Sequence, residues 1–159
     1  PSAAMIADEA NNSDYAQVWE AVLQYVREGG TCVVMGDFSS FVKPLLMKQF
    51  FAKAGLFWNQ SSYRRAALAL KPSTMGPDLA VKLPSWYGPK AVSVQNNVAH
   101  GDIWYHADEI SAVKDLGLDD MGETPVAFAR VGNGRLGYVG DVNAEEDSDT
   151  IILAMCGVL

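Results

Sequence analysis

An apolar run closed by glycine at both ends, Gly30-Thr31-Cys32-Val33-Val34-Met35-Gly36, constrains this chain more than any other feature. A run of that length with no polar alternation suits a strand covered on both faces. What precedes it fits the same pattern. Ala3 to Ala7 is a second short apolar run, ends at Asp8-Glu9, and reads as a buried strand. Between the two, Asp14 and Gln17 have capping-box spacing. Tyr15, Val18, Trp19, Val22 and Val26 recur at helical spacing as one apolar stripe. Gly29-Gly30 ends that helix, because glycine takes the left-handed conformation at no steric cost. Strand, helix and strand in that order make a parallel crossover unit, right-handed by the usual rule.

Beyond this unit the pattern loosens. Pro44 opens a second helix that continues through Leu45, Leu46, Gln49, Phe50 and Lys53 to Gly55. Ala66 to Leu70, Ala91 to Gln95 and Ile103 to Tyr105 read as short strands. Lys71 to Pro89 holds four prolines and two glycines and reads as loop. Ile110 to Gly122 reads as weakly helical or irregular. Val126 to Val131 and Arg135 to Val139 flank Gly132-Asn133-Gly134, a hairpin signal of the longer, glycine-containing type. Asp147 to Cys156 reads as a final helix whose acidic start matches the helix dipole.

The 159 residues suit one domain spanning 1–159, and 49% hydrophobic residues are enough for a core without a metal or disulfide staple. The formal charge of −7 argues against nucleic acid and against an anionic membrane surface. No apolar run approaches the roughly 20 residues of a membrane span. Cys32 and Cys156 both sit among apolar neighbours and read as buried free thiols, which suits a reducing, cytoplasmic compartment.

Three stretches carry a resemblance: Tyr25-Val26-Arg27-Glu28-Gly29-Gly30-Thr31, Gly36-Asp37-Phe38-Ser39-Ser40-Phe41, and the segment from Gly134 through Tyr138-Val139-Gly140-Asp141-Val142-Asn143-Ala144-Glu145 to Glu146. Together they resemble an uncharacterised fungal family with the class I glutamine-amidotransferase-like fold. The resemblance implies a flavodoxin-like α/β domain: a mainly parallel sheet, helices on both faces, and an antiparallel hairpin near the C-terminus. It also implies further strand and helix units before Ala3. On that reading the chain starts inside the usual pattern, as a fragment or a natural short form. The open edge of the Ala3 strand is then expected to pair with a companion N-terminal segment or with a second copy in a homo-oligomer.

Working amidotransferases of this type place a cysteine on the sharp turn after that strand, and a histidine and a glutamate after the last strand. The thiolate attacks the amide carbonyl, and the imidazole lowers the thiol pKa and passes the proton on. Here Gly36-Asp37 stands where the cysteine should be, and Cys32 lies too early. Asn143 stands where the histidine should be, and by the same match only Glu145 survives. The resemblance therefore implies an amidotransferase-like domain without its Cys–His pair: a non-catalytic domain that binds a small polar ligand or a protein partner. No cofactor is expected. The alternative is a hydrolase or lyase of different chemistry, using Asp37, Ser39 and Glu145.

The residues support a candidate site independently. The Gly36-to-Phe41 loop lies at the carboxyl end of a central strand, where ligands bind in open α/β sheets. Asp37, Ser39 and Ser40 can hold a polar ligand there; the plainer reading is a turn leading to the Pro44 helix. Asp141, Asn143 and Glu145 follow a strand expected to point the same way and are expected in the same cleft. The segment from Asp141 to Asp149 alternates oxygen-bearing side chains as a calcium loop does, but Glu146 replaces the required glycine and Ile152 the closing acid. An acidic helix start is the better reading. His100 and His106 flank a short strand, but Gly101-Asp102 breaks it between them, and no metal site is expected. Trp86-Tyr87, in a Pro/Gly-rich loop, is a candidate exposed recognition surface.

Overall fold

The computed structural model describes residues 3–6, 13–95, 97–107 and 122–159. The strands are β1 (Ala3–Ile6), β2 (Thr31–Val34), β3 (Asn59–Arg65), β4 (Leu68–Leu70), β5 (Trp86–Tyr87), β6 (Lys90–Gln95), β7 (Tyr105–Ala107), β8 (Val126–Val131) and β9 (Gly134–Val139). The helices are α1 (Ser13–Arg27), α2 (Asp37–Phe41), α3 (Pro44–Lys53), α4 (Pro77–Ala80) and α5 (Glu146–Met155), with one 3-10 turn at Pro72–Thr74. Most of the stretch expected to be weakly helical after Ile110 lies outside the described residues, as do Asp8-Glu9.

The opening crossover forms as its pattern implies. β1 pairs parallel to β2, Ala3 opposite Thr31, and β2 pairs parallel to β9, Thr31 opposite Arg135. β8 closes this four-stranded sheet antiparallel to β9, in the order β1-β2-β9-β8. Val33 and Val34 are fully buried on opposite faces of β2. Cys32 and Val34 pack in one cluster with Leu23, Val26 and Phe51, and Val33 packs in the other with Val139 of β9 and with Ile151 and Met155 of α5.

A mainly parallel sheet does not survive the structure. Among the described residues two strand pairings are parallel and four antiparallel. The antiparallel pairs include two further small sheets, β3-β6 and β5-β4-β7. The fold is mixed α/β with small sheets, not a parallel sheet flanked by helices. The cause lies in what the connections contain. A parallel pair needs a crossover of a dozen or more residues, usually helical. α1, with 15 residues, supplies one. Between β3 and β7 the longest connection, residues 71–85, carries a 3-10 turn and, as the one α-helix among the described residues there, α4 of four residues, too short to span a crossover. Strands joined without a spanning helix pair antiparallel here, β3 with β6 and β4 with β5 and β7.

Three local readings also shift. The stripe of α1 that is buried is Trp19, Leu23 and Val26, whereas Tyr15 and Val18 are exposed. Trp19 fixes this rotation: its ring stacks on Phe50 with centroids 3.8 Å apart, and its Nε1–H donates to the Phe50 carbonyl at 3.2 Å. β3 forms on a polar, weakly patterned sequence that carries no strand signal of its own. The β8–β9 hairpin turns on two residues rather than three, because Val131 pairs with Gly134 and Gly132 takes φ 61°.

Candidate functional site

Parallel pairing of β2 and β9 sets Val34 beside Tyr138, so the segments that follow the two strands leave the sheet at the same edge. Gly36 turns the chain out of β2 with φ 62° and ψ −129°, a conformation open in practice only to glycine. After β9 the chain is pinned by β6: the Val92 N–H donates to the Gly140 carbonyl at 2.9 Å, and the Val142 N–H to the Lys90 carbonyl at 3.0 Å. A Cβ at Gly140 would stand 2.0 Å from the Val92 carbonyl oxygen, so only glycine fits. α5 then runs back alongside the sheet.

These three elements enclose an open cleft of about 280 Å³. Met35, Gly36 and Asp37 form one side, Asp141 to Ala144 the other, and Ser148, Asp149 and Ile152 of α5 the third. A second cavity, of about 20 Å³, lies between Arg64, Ser93 and Glu123 and is no larger than a water site.

Asp141 organises the wall. It is 5% exposed and accepts three hydrogen bonds: from the Asn143 N–H at 2.9 Å, the Glu145 N–H at 2.7 Å and the Ser148 hydroxyl at 2.6 Å. The Ser148 oxygen also bonds the Tyr87 phenol, so a buried polar chain runs from Tyr87 through Ser148 to Asp141. Burial drives the Tyr87 pKa upward, the Ser148 bond opposes it, and the carboxylates of Asp141, Asp147 and Glu145 add to the rise, so this phenol stays protonated. Ala144 is held at φ 53°, and the loop it belongs to is clamped from outside. Arg65 donates to the Gly88 carbonyl at 2.6 Å and to Glu145 Oε1 at 2.8 Å, and Asn143 Nδ2 reaches the same oxygen at 3.5 Å.

The residues named from sequence therefore divide. Asp37, Asp141 and Asn143 line the cleft. Ser39 is buried on α2 with its hydroxyl 3.5 Å from the Val139 carbonyl, and it is not among the lining residues. Ser40 is exposed and lies outside the lining, and Glu145 is held in its ion pair with Arg65. Neither His100 nor His106 lines the cleft, and no group of three or more potential metal ligands occurs among the described residues. Trp86 is exposed as expected, but Tyr87 is buried as the anchor of Ser148. The sequence reading missed Met35, Ser148, Asp149 and Ile152. The available signal was the i, i+4 spacing of Ser148 and Ile152, which places both on the face of α5 turned to the sheet.

Cys32 is fully buried inside β2, and burial, with Cys156 adding to it, pushes its thiol up to about 12. A thiol so held is neither a nucleophile nor a ligand at neutral pH.

No family model matches the chain, and no curated protein matches it. Solved structures do. A β-galactosidase from Bacillus circulans sp. alkalophilus superposes with a TM-score of 0.57 at 16% identity, over 98% of this chain and 22% of its own. A ThuA-like protein from Bacteroides uniformis, with a class I glutamine-amidotransferase-like fold, superposes with a TM-score of 0.54 at 12% identity, over 97% of this chain and 67% of its own. Identities this low carry the fold alone, and the chain spans only about a fifth of the β-galactosidase. No helix among the described residues is long and apolar enough to cross a membrane.

Proposed function

We propose that this chain is an amidotransferase-like domain without the catalytic Cys–His pair, and that it binds a small polar ligand in the cleft between Gly36 and α5. One observation carries the reading. The sharp strand-to-helix turn on which such a domain would hold its nucleophile is built, at φ 62°, but the residue on it is glycine. The cleft beyond is lined by carboxylate, amide and hydroxyl groups and, among the described residues, by neither thiol nor imidazole. Its volume falls just under the roughly 300–1,000 Å³ of drug-sized ligand sites, which suits a small molecule.

The hydrolase or lyase alternative draws less support. Ser39 is turned into the core toward Val139, and Glu145 is engaged by Arg65. Partner binding is the second strand of the reading. β1 is the outer strand of the four-stranded sheet among the described residues, and its sequence Ala-Ala-Met-Ile carries no charge or proline to blunt that edge. A second copy adding a strand there satisfies its free backbone groups.

The test is paired. Glutamine incubated with the purified chain should release no ammonia above the buffer rate. A small-metabolite mixture should raise the melting temperature, and Asn143→Trp, which plugs the cleft from an exposed position, should abolish the rise. Glutaminase turnover, or stabilisation indifferent to Asn143→Trp, would overturn the reading.

A further inference from the structure

The cleft reading can be taken to a ligand class, and the step rests on that reading. The cavity has two chemical halves. Met35, Val139, Val142 and Ile152 give an apolar floor. Around it stand Asp37 and Asp149, both exposed and, among the described residues, in no ion pair. Among the described residues, none that lines it is Lys, Arg or His.

Asp141 adds a fixed negative charge in the wall. All three of its hydrogen-bond donors are neutral groups, two backbone N–H and one hydroxyl. A buried carboxylate that makes no ion pair among the described residues leaves a negative potential that the low-dielectric wall does not screen. A carboxylate also has about four acceptor positions, so Asp141 keeps acceptor capacity on Oδ1, which takes only the Asn143 N–H. The start of α5 would by itself favour an anion, but Glu146, Asp147 and Asp149 occupy its first turn and reverse that preference. A bare metal ion does not fit the apolar half, and hard cations want more oxygen ligands than this wall offers.

We propose that the cleft takes a small organic cation, a primary ammonium or guanidinium head on a short apolar body. The head is held by Asp37, Asp149 and the Asn143 side-chain carbonyl, and the body lies on Met35 and Ile152. Carboxylates and a guanidinium or ammonium make charge-assisted hydrogen bonds, the stronger kind.

Isothermal titration calorimetry on the whole chain tests this with four probes built on a four-carbon chain: agmatine, butylamine, 1,4-butanediol and butyrate. The two cations should bind and the diol and the anion should not. Asp37→Asn and Asp149→Asn should each weaken agmatine about tenfold, the equivalent of one charge-assisted bond. Asp78→Asn, on α4 and outside the cleft, should change nothing. Equal weakening by Asp78→Asn would mean diffuse attraction to an acidic protein and would overturn the assignment. If the diol or butyrate binds more tightly than the amines and Asn143→Trp removes that binding, the cation assignment falls while the ligand-binding cleft stands. Amine binding that survives Asn143→Trp places the ligand elsewhere and overturns both. If none of the probes binds, the cation assignment falls, and a metabolite screen with no hit sensitive to Asn143→Trp then removes the cleft reading too.

Discussion

Asp141→Ala is the sharpest test of how the cleft is built. The carboxylate accepts three hydrogen bonds, at 2.9, 2.7 and 2.6 Å, and is 5% exposed. A hydrogen bond to a charged group contributes about 1.5–3 kcal/mol, and a buried donor left without a partner costs about 1–3 kcal/mol. The three donors do not suffer equally. Asn143 is exposed, so water can reach its N–H. Ser148 is buried but keeps its bond to Tyr87. The Glu145 N–H, at the cap of α5, loses its side-chain acceptor outright. The expected loss is therefore about 3–4 kcal/mol, well short of three full bonds. In a domain of this size that is a fall of about 6–16 °C in melting temperature. Asp141→Asn keeps one acceptor oxygen but presents an NH₂ to one set of donors, and should lose about half as much. Urea unfolding followed by circular dichroism, at an unchanged slope, measures both. Combining Asp141→Ala with Ser148→Ala should show a coupling of about 1–2 kcal/mol, because the two share a bond. A loss below about 1 kcal/mol for Asp141→Ala would refute the reasoning, since it would mean that water replaces the carboxylate throughout.

Two further outcomes follow. Cys32 should resist iodoacetamide in the folded state. Its pKa is raised from the usual 9.0 to about 12 because burial disfavours the thiolate, so the unfolded chain releases that proton first and the thiol's contribution to stability falls as pH rises from about 9 toward 12; stoichiometric labelling at pH 8 would contradict this. If a second copy pairs along β1, light scattering should give twice the 17.2 kDa of the chain, and a concentration-independent monomer would count against it.

How much was legible follows from where the signal was local. The β1–α1–β2 unit and the β8–β9 hairpin are written in runs of adjacent residues: apolar strands, a helical stripe, glycines at the turns. Both form. The middle of the chain is set by contacts far apart in sequence, and it misled. β3 reads Asn-Gln-Ser-Ser-Tyr-Arg-Arg, with no strand signature, and exists because β6 gives it an antiparallel partner with a register shift between Gln60 and Tyr63. Extending the opening parallel unit to the whole sheet ignored what proline-rich connections without a spanning helix permit. On α1, periodicity marked a wide apolar band but not which side of it meets the sheet. The Trp19–Phe50 contact decides that, across 31 positions.

The candidate site divides along a similar line, and the reason bears on any strand-end cleft. Sequence position brought Asp37, Asp141 and Asn143 to one place, because parallel strands release their loops at a common edge. It did not distinguish polar groups that hold the scaffold from those left for a ligand. Asp141, Ser39 and Glu145 all looked available, and each is committed: to the loop before α5, to the Val139 carbonyl, and to Arg65. That commitment is a matter of acceptor capacity, which depends on the donors that folding brings near. Asp37 and Asp149 remain uncommitted because both are exposed, where water satisfies them at little cost. A cleft of this kind therefore has a scaffold layer of polar groups bonded within the protein in its wall and a rim of groups bonded only by water. Substitutions in the first should be read as stability and in the second as affinity, a separation that the Asp141 and Asp37 variants together put to the test.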